Sequence, residues 1–250
     1  MAESTKKRFG LLGKNISYSF SKGYFAEKFA SGSLNDLSYE NFDLQDISEF
    51  ETLIENNHQE LAGINVTIPY KEAVIPFLDK LSKKAKLIGA VNTIKFTRNG
   101  KLKGYNTDYY GFKKAIKPLL AEHHKKALIL GTGGASKGVC FALDELGITY
   151  TFVSRIKNEN TISYEDLDQD AFTEHTIVIN ATPVGTSPDI TAFPAVPYQY
   201  FTPEHIAFDL IYNPAVTQFL SKAAAQGAQT KNGYDMLVYQ AEKSWEIWNK

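Results

Sequence analysis

An α/β fold in two parts is predicted for this chain: a mixed α/β layer first, then a parallel sheet covered by helices on both faces. Three observations predict it. Short apolar runs at residues 9–13 and 63–66 alternate with stretches of helical spacing. From residue 127 onward the run at 127–130 is continuously apolar and those at 150–153, 176–179 and 205–208 read as further buried strands, as in a parallel sheet covered on both faces. Asn99-Gly100 lies between two strand-like runs in the first part only, which places an antiparallel hairpin there.

Taken in order, residues 9–13 read as a buried strand. Tyr24, Phe25 and Phe29 give 21–30 helical spacing, with Gly32 as its stop. Residues 37–44 alternate as a strand and 47–54 form a short helix. After the strand at 63–66, two helical pieces are expected at 71–81 and 83–88. Strands at 91–97 and 101–105 flank the hairpin turn. Asp108 opens a helix through Ile116 that Pro118 ends. The strand at 127–130 runs through a glycine-rich turn into a helix reaching Leu146, with Gly147 as C-terminal stop. Residues 236–248 form a final amphipathic helix.

Bulk properties narrow the class of protein. The chain has 250 residues, 43% of them apolar and 22% charged, enough for a core without covalent staples. A net charge of -1 favours neither nucleic acid nor an acidic membrane as partner. Cys140 is the only cysteine, so no intramolecular disulfide forms, which suits a reducing, cytoplasmic setting. The polar, basic stretch from Met1 to Arg8 leads into no signal-peptide apolar run, and no run reaches the roughly 18 residues of a membrane span. The five histidines lack metal-ligand spacing, so no metal is expected. Cys140, Tyr239, Trp245 and Trp248 read as packing residues.

Gly131-Thr132-Gly133-Gly134-Ala135-Ser136-Lys137-Gly138 joins a strand to a helix, the context a dinucleotide fingerprint requires. Gly131 permits a tight turn, Gly133 a close backbone approach to a pyrophosphate, and the helix start binds that anion. Ser136 stands where the third glycine is usual. The bland alternative is a plain strand-to-helix turn. The strand at 150–153 ends in Ser154-Arg155-Ile156-Lys157 rather than in the acid that binds ribose hydroxyls. The planar fork of Arg155 suits a 2′-phosphate, so NADP is the expected cofactor, with Lys157 adding charge. Residues 134–138 also match a G-x-S-x-G nucleophile elbow, but five residues separate Ser136 from the strand, too long a turn for a serine hydrolase.

Three polar segments follow strands in the first part. Thr67 and Lys71 lie past the strand at 63–66, Asn92 starts the next, and Asp108 stands where the second part begins. Each has a bland reading: an exposed helix-start lysine, a turn asparagine, a helix cap. A cleft between two domains is where they are expected to converge.

Together these segments resemble the shikimate dehydrogenase family. The matching stretches are Ser19-Phe20-Ser21, Asn65-Val66-Thr67-Ile68-Pro69-Tyr70-Lys71, Gly89-Ala90-Val91-Asn92-Thr93 and Gly104-Tyr105-Asn106-Thr107-Asp108. Later come the glycine loop, Asn180-Ala181-Thr182-Pro183, Asp209-Leu210-Ile211-Tyr212-Asn213-Pro214, Gly233, Met236-Leu237 and Gln240-Ala241. They keep the family's order and span nearly the whole chain. The resemblance implies a catalytic Lys71 with Asp108 as its partner. It implies Ser19, Ser21, Thr67, Asn92, Asp108, Tyr212 and Gln240 as substrate ligands. It implies cofactor contacts from Gly131, Thr132, Gly133, Gly134, Ala135, Ser154, Arg155, Leu210 and Gly233. The implied fold is a substrate domain of residues 1–107 with 234–250, its C-terminal helix returning to it, and a Rossmann-like NADP-binding domain of residues 108–233.

The chemistry fits the residue types. Shikimate carries a carboxylate and three ring hydroxyls. Ser19 and Ser21 bind a carboxylate without fixed charge, and Thr67, Asn92, Asp108 and Gln240 suit hydroxyls. Oxidation to 3-dehydroshikimate sends a hydride to the nicotinamide and the hydroxyl proton to an acceptor in reach, which uncharged Lys71 provides. Asp108 either orients Lys71 and the hydroxyl or shares the proton. Relatives often have histidine and proline at Tyr18 and Lys22, Asn and Thr at Ser154 and Ile156, and an acid at Lys83; Asp235 is also unusual. The change around Arg155 leaves NAD use open. The alternatives are a quinate or dual quinate/shikimate dehydrogenase and, in a different class, a non-catalytic NADP-binding sensor. The small-molecule partner is expected to be met by a monomer or homodimer. Lys71→Met is expected to lower turnover by about 10²-fold or more while folding is retained, measured as initial rate beside a circular dichroism spectrum; near-normal turnover refutes Lys71 as the proton acceptor.

Overall fold

The computed structural model describes residues 7–17, 19–57 and 59–250. Met1 to Lys6, Tyr18 and His58 lie outside the described residues, and with them most of the basic N-terminal stretch and one departure from the family pattern. The chain divides into two compact units, Met1–Thr107 with Ala241–Lys250, and Asp108–Gln240.

The first unit is built on a mixed sheet. Its strands are β1 (Lys7–Gly13), β2 (Leu37–Asp43), β3 (Leu61–Val66), β4 (Lys80–Leu81), β5 (Thr93–Phe96) and β6 (Leu102–Tyr105), in the order β2-β1-β3-β5-β6-β4. β1 pairs parallel with β2 and β3, and β3-β5-β6 run antiparallel. Helix α1 (Phe20–Ser31) buries Phe25 and Phe29 against Phe9, Leu11 and Tyr39 on one face. Helices α2 (Glu49–Asn57), α3 (Tyr70–Ala73) and α4 (Lys83–Ile88) lie in this unit too, contributing Phe50, Tyr70 and Ala85 to the cluster of Leu12, Ile64 and Ile94.

The single helix expected over 71–81 is broken. α3 stops after one turn, Pro76 lies in a 3-10 turn over Ile75–Phe77, and β4 follows. Proline lacks the amide an α-helix interior needs, and its ring crowds the preceding turn. The hairpin is also longer than a two-residue turn. Phe96 pairs with Leu102, Thr97 N donates to Lys101 O, and Gly100 has φ 71° while Asn99 is not left-handed. That is the three-residue loop with glycine in the left-handed position.

The second unit opens with helix α5 (Asp108–Ile116) and holds a wholly parallel sheet. Its strands are β7 (Lys126–Leu130), β8 (Thr149–Ser154), β9 (Thr161–Ser163), β10 (Ile177–Asn180), β11 (Ile206–Asp209) and β12 (Gln229–Lys231). Helices α6 (Gly134–Leu146), α7 (Gln169–Glu174) and α8 (Gln218–Ala224) connect them. The order β12-β11-β10-β7-β8-β9 reverses between β7 and β10, which is the strand order of the Rossmann fold, whose ligands bind beyond the strand ends at that reversal. Separate apolar clusters cover the two faces, one around Phe112, Ile129 and Phe208, the other around Leu128, Phe172 and Phe219.

Helix α9 (Tyr234–Trp248) belongs to both units. The division between the two compact units falls inside this helix, at Ala241. Met236 and Tyr239 pack with Phe112 and Ile116, whereas Ala241 and Trp248 pack with Phe9 and Phe25. Trp248 lies flat on Gly63 of β3 and donates its indole N–H to Ile94 O at 2.9 Å. A Cβ at Gly63 would overlap that indole. Gly63→Ala is therefore expected to cost about 2 kcal/mol, read as a lower denaturation midpoint in urea; an unchanged midpoint would mean that the indole shifts freely.

Candidate active site

Strand ends gather the chemistry-bearing residues of the first unit. Val66 N donates to Asn92 O at 2.8 Å, and Asn92 N donates to Tyr105 O at 3.0 Å. The backbone of Asn92 thereby bonds the ends of β3 and β6. Thr67 N donates to Leu12 O, and Tyr70 N to Thr67 O, which closes the turn carrying Thr67. Tyr70 is buried, with its hydroxyl donating to Leu44 O, so α3 is anchored one residue before Lys71. Lys71 is half-buried, and its carbonyl accepts from Val91 N at 2.7 Å. Gly89, at φ 70°, turns the chain out of α4 toward that bond.

The side chain of Asn92 is buried and shapes the chain ahead of Asp108. Its Oδ1 accepts from Thr107 N at 2.6 Å and from Thr107 Oγ1 at 3.1 Å, while Nδ2 donates to Thr107 Oγ1 at 3.0 Å. Asp108, also buried, is the first residue of α5. One turn on, a Cβ at Gly111 would overlap the Met236 carbonyl oxygen and stand 3.1 Å from Gln240 Cβ. Residues three apart share a helix face, so Gly111 brings Gln240 of α9 close to the face that starts with Asp108.

Ser19 and Ser21 stand at the start of α1. Ser19 is its N-cap, with Oγ accepting from Ser21 N at 3.2 Å, a role visible in retrospect as a serine just ahead of an apolar helix pattern. The preceding loop is clamped from β2. Asp43 accepts from Asn15 N at 2.8 Å and Ile16 N at 3.3 Å, and Asn41 Nδ2 donates to Ile16 O at 3.0 Å.

In the second unit the glycine loop follows β7 at the sheet's reversal. Gly131 has φ 93°, and its N–H bonds Val153 O at 2.9 Å. A Cβ there would stand 2.8 Å from Thr182 Cγ2. Thr132 is exposed, and Gly133 is the N-cap of α6 with no side chain to occupy the helix start. Gly134 and Ala135 form its half-buried first turn. A Cβ at Gly133 would meet no protein atom within 4 Å, so neither packing nor a left-handed φ demands glycine there. Ser136 is buried, with Oγ donating to Gly133 O at 2.6 Å. It is therefore a brace for the loop and not an exposed nucleophile, which removes the hydrolase reading.

Beside this loop, β8 ends at half-buried Ser154, whose Oγ accepts from Ile156 N at 3.5 Å. Arg155 is exposed and faces Tyr164, whose phenol burial pushes up against the opposing charge of Arg155. Lys157 pairs with Asp166 at 3.1 Å, so its charge is already engaged. The Ser163 amide and Lys157 hold Asp166 below the usual carboxylate range.

Asp209, at the end of β11, organises the loop that bears Leu210 and Tyr212, both half-buried. Its carboxylate accepts from Ile211 N at 3.0 Å, Asn180 Nδ2 at 3.1 Å and Thr217 Oγ1 at 2.6 Å. Burial pushes the group up to about 6, against these three donors. Gly233 N donates to Ile211 O at 3.0 Å, and a Cβ on Gly233 would stand 2.6 Å from the Leu210 carbonyl carbon. Glycine at 233 is thus explained by contact with Leu210. The sequence reading gave Asp209 no role, although an acid closing an otherwise apolar strand was the available signal. Among the described residues no cluster of histidine, cysteine and acids could hold a metal, and no helix is long and apolar enough to cross a membrane.

The second unit defines a protein of the Rossmann class, with a glycine loop at the topological switch and an arginine-bearing strand end on the neighbouring strand. A family profile described as the shikimate dehydrogenase substrate binding domain matches residues 11–94. The shikimate dehydrogenase (NADP(+)) of Desulforamulus reducens is 35% identical over 96% of this chain and 88% of its own length. A shikimate 5-dehydrogenase structure from Thermus thermophilus, in complex with NADP(H) and shikimate, is 33% identical with a TM-score of 0.84, covering 97% of this chain and 93% of that one. One from Listeria monocytogenes, in complex with shikimate and NAD, is 30% identical with a TM-score of 0.87, covering 98% and 92%. The chain belongs to the shikimate dehydrogenase family.

Asp209 supports a stability prediction with a definite sign. Its folded pKa is raised above the ordinary 3.8, so the stability tied to its protonated form is fully present below 3.8 and is lost as pH rises through about 6. Asp209→Asn has no such titration. Its stability relative to the parent protein is expected to improve from pH 4 to pH 7, measured by urea denaturation at both; a difference independent of pH would show that the carboxylate is ionised throughout.

Proposed function

We propose that the chain is an NADP-dependent shikimate dehydrogenase, interconverting shikimate and 3-dehydroshikimate in aromatic amino-acid biosynthesis in the cytoplasm. The observation that carries this is similarity at 35% identity over 96% of the chain to an enzyme of that name. The residues fit the cofactor. At Gly133 a Cβ would fill open space at a helix start whose N-cap has no side chain, which suits a pyrophosphate, and exposed Arg155 next to it suits a 2′-phosphate. Gly131, Thr132, Gly134, Ala135, Ser154, Leu210 and Gly233 complete the cofactor set. Bound NADP supplies the hydride acceptor.

The chain's own residues do the rest. Ser19 and Ser21 bind the carboxylate, Thr67, Asn92, Asp108 and Gln240 hold the ring hydroxyls and set which carbon is presented, and Tyr212 is a further substrate ligand. Lys71, with Asp108, takes the proton from the reacting hydroxyl and returns it in the reverse direction. Anchoring of Lys71 through Val91 and Tyr70 keeps its reach short and defined. The substrate domain is residues 1–107 with 234–250, the cofactor domain residues 108–233, and the working form a monomer or homodimer.

The test is the initial rate of nicotinamide reduction with shikimate or quinate, each with NADP or NAD. Turnover confined to shikimate with NADP is expected. Preference for NAD overturns Arg155 as phosphate reader, preference for quinate overturns the substrate assignment, and no turnover in any combination points to a sensor.

A further inference from the structure

Beneath the strand ends of the first unit lies a group of polar side chains of which the proposed chemistry uses only Asn92 directly. Tyr39 of β2 donates its hydroxyl to Asn65 Oδ1 at 2.9 Å. Asn65 Nδ2 donates to Ser244 Oγ of α9 at 2.9 Å. The Ser244 hydroxyl lies 2.8 Å from Thr93 Oγ1 and 3.2 Å from Thr107 Oγ1. Thr93 Oγ1 donates to Asn92 Oδ1 at 3.1 Å, and Asn92 Nδ2 returns to Thr107 Oγ1. Ser244 is completely buried.

Tyr39 gives its proton to Asn65, Asn65 gives to Ser244 and Thr93 gives to Asn92, which leaves the Ser244 hydroxyl as the donor toward Thr93. Asn92 Nδ2 gives to Thr107 Oγ1, whose own proton goes back to Asn92 Oδ1, and Thr107 Oγ1 lies 3.2 Å from Ser244 Oγ, which closes the ring by proximity. At its other end the Tyr39 phenol lies close enough to the Ser21 side chain for that hydroxyl to offset part of the upward push of burial on it. The path therefore starts beside a serine of the α1 N-terminus and ends at the residue before Asp108.

Packing alone does not ask for hydroxyls here. Valine fills the volume of threonine, alanine that of serine and phenylalanine that of tyrosine, and none carries the desolvation cost of a buried hydroxyl. A connected polar ring instead fixes direction: each member is held in one rotamer by its neighbours.

We infer that Ser244 and Tyr39 are positioning residues, which act through Asn65 and Asn92 to hold Ser21 and the Thr107–Asp108 junction in the arrangement that grips the ring acid. The inference rests on the proposed reading for its substrate. Its second readout, amide hydrogen exchange at Thr107, does not.

Ser244→Ala and Tyr39→Phe each delete one hydroxyl without adding bulk. Each is expected to lower kcat/KM for shikimate about tenfold, the equivalent of one hydrogen bond, and to leave the KM for NADP within about twofold. Ser244→Thr, which keeps the hydroxyl, is expected to restore most of the loss. The double variant is expected to lose less than the product of the single losses, because both act through Asn65. Protection of the Thr107 amide is expected to fall in both single variants while the β1 and β7 amides keep theirs. Unchanged kinetics with unchanged Thr107 protection overturns the inference. So does a uniform loss of protection with both KM values altered alike, which marks a merely structural role. If the parent protein turns over no shikimate, the functional reading fails, and Thr107 protection alone decides the positioning role.

Discussion

The Asn92 amide is the constraint on which the first unit's site depends. Its backbone ties β3 to β6 through Val66 and Tyr105, and its side chain takes the Thr107 N–H at 2.6 Å. Apart from Ser19 and Ser21 at the start of α1, the chemistry-bearing residues of that unit branch from it. Thr67 and Lys71 leave from the β3 side, and Asp108 follows from the β6 side. An unpaired amide buried at this depth would cost more than its bonds contribute, so the strand ends and the Asn92 side chain hold one another in place.

A more local polar device recurs in the second unit. Asn180, at the end of β10, accepts from Thr182 N at 3.1 Å, and Asp209, at the end of β11, accepts from Ile211 N at 3.0 Å. In each case a short polar side chain ending a buried strand bonds the backbone two residues on and sets the loop's first turn. The strands are interchangeable apolar runs; their last residue decides where the loop goes. This is how Asp209 sets the start of the loop at 209–214 and Asn180 that of the loop at 181–184.

What could be read in the sequence follows from burial. β7, β10 and β11 are apolar on both faces and declare themselves, as do the Gly147 stop and the helix from Asp108 to Ile116. β4, β9 and β12 are strands of two or three residues at sheet edges, where no apolar pattern is required, and they were not legible. α7 and α8 are one or two turns long and begin at Asp168 and Thr217 caps that also suit loops. In the site, the glycine loop was legible because it sits between a strand and a helix. The ring at Ser244 was not. Its members come from β3, from the stretch around β5, from the residue ahead of α5 and from the last helix, and nothing local marks a serine 179 residues from Asn65 as that side chain's partner.

Helix α9 carries the division between the two compact units inside one continuous pattern. Its pattern is amphipathic throughout, yet its two halves bury against different cores. Trp248 fixes the helix's axial position by its bond to Ile94 O. With 3.6 residues per turn, that also fixes Ser244 one turn earlier and Gln240 one turn before that, all on one face. A residue expected to bind substrate and a residue inferred to brace the site thus lie on one helix, which serves as their ruler. A substitution that slides its last turns, such as one that lifts Trp248 from Gly63, displaces Ser244. Deleting the Ser244 hydroxyl leaves the ruler in place and removes only its mark, so the two kinds of variant separate the helix's role as a scaffold from the ring's role as an orienting device.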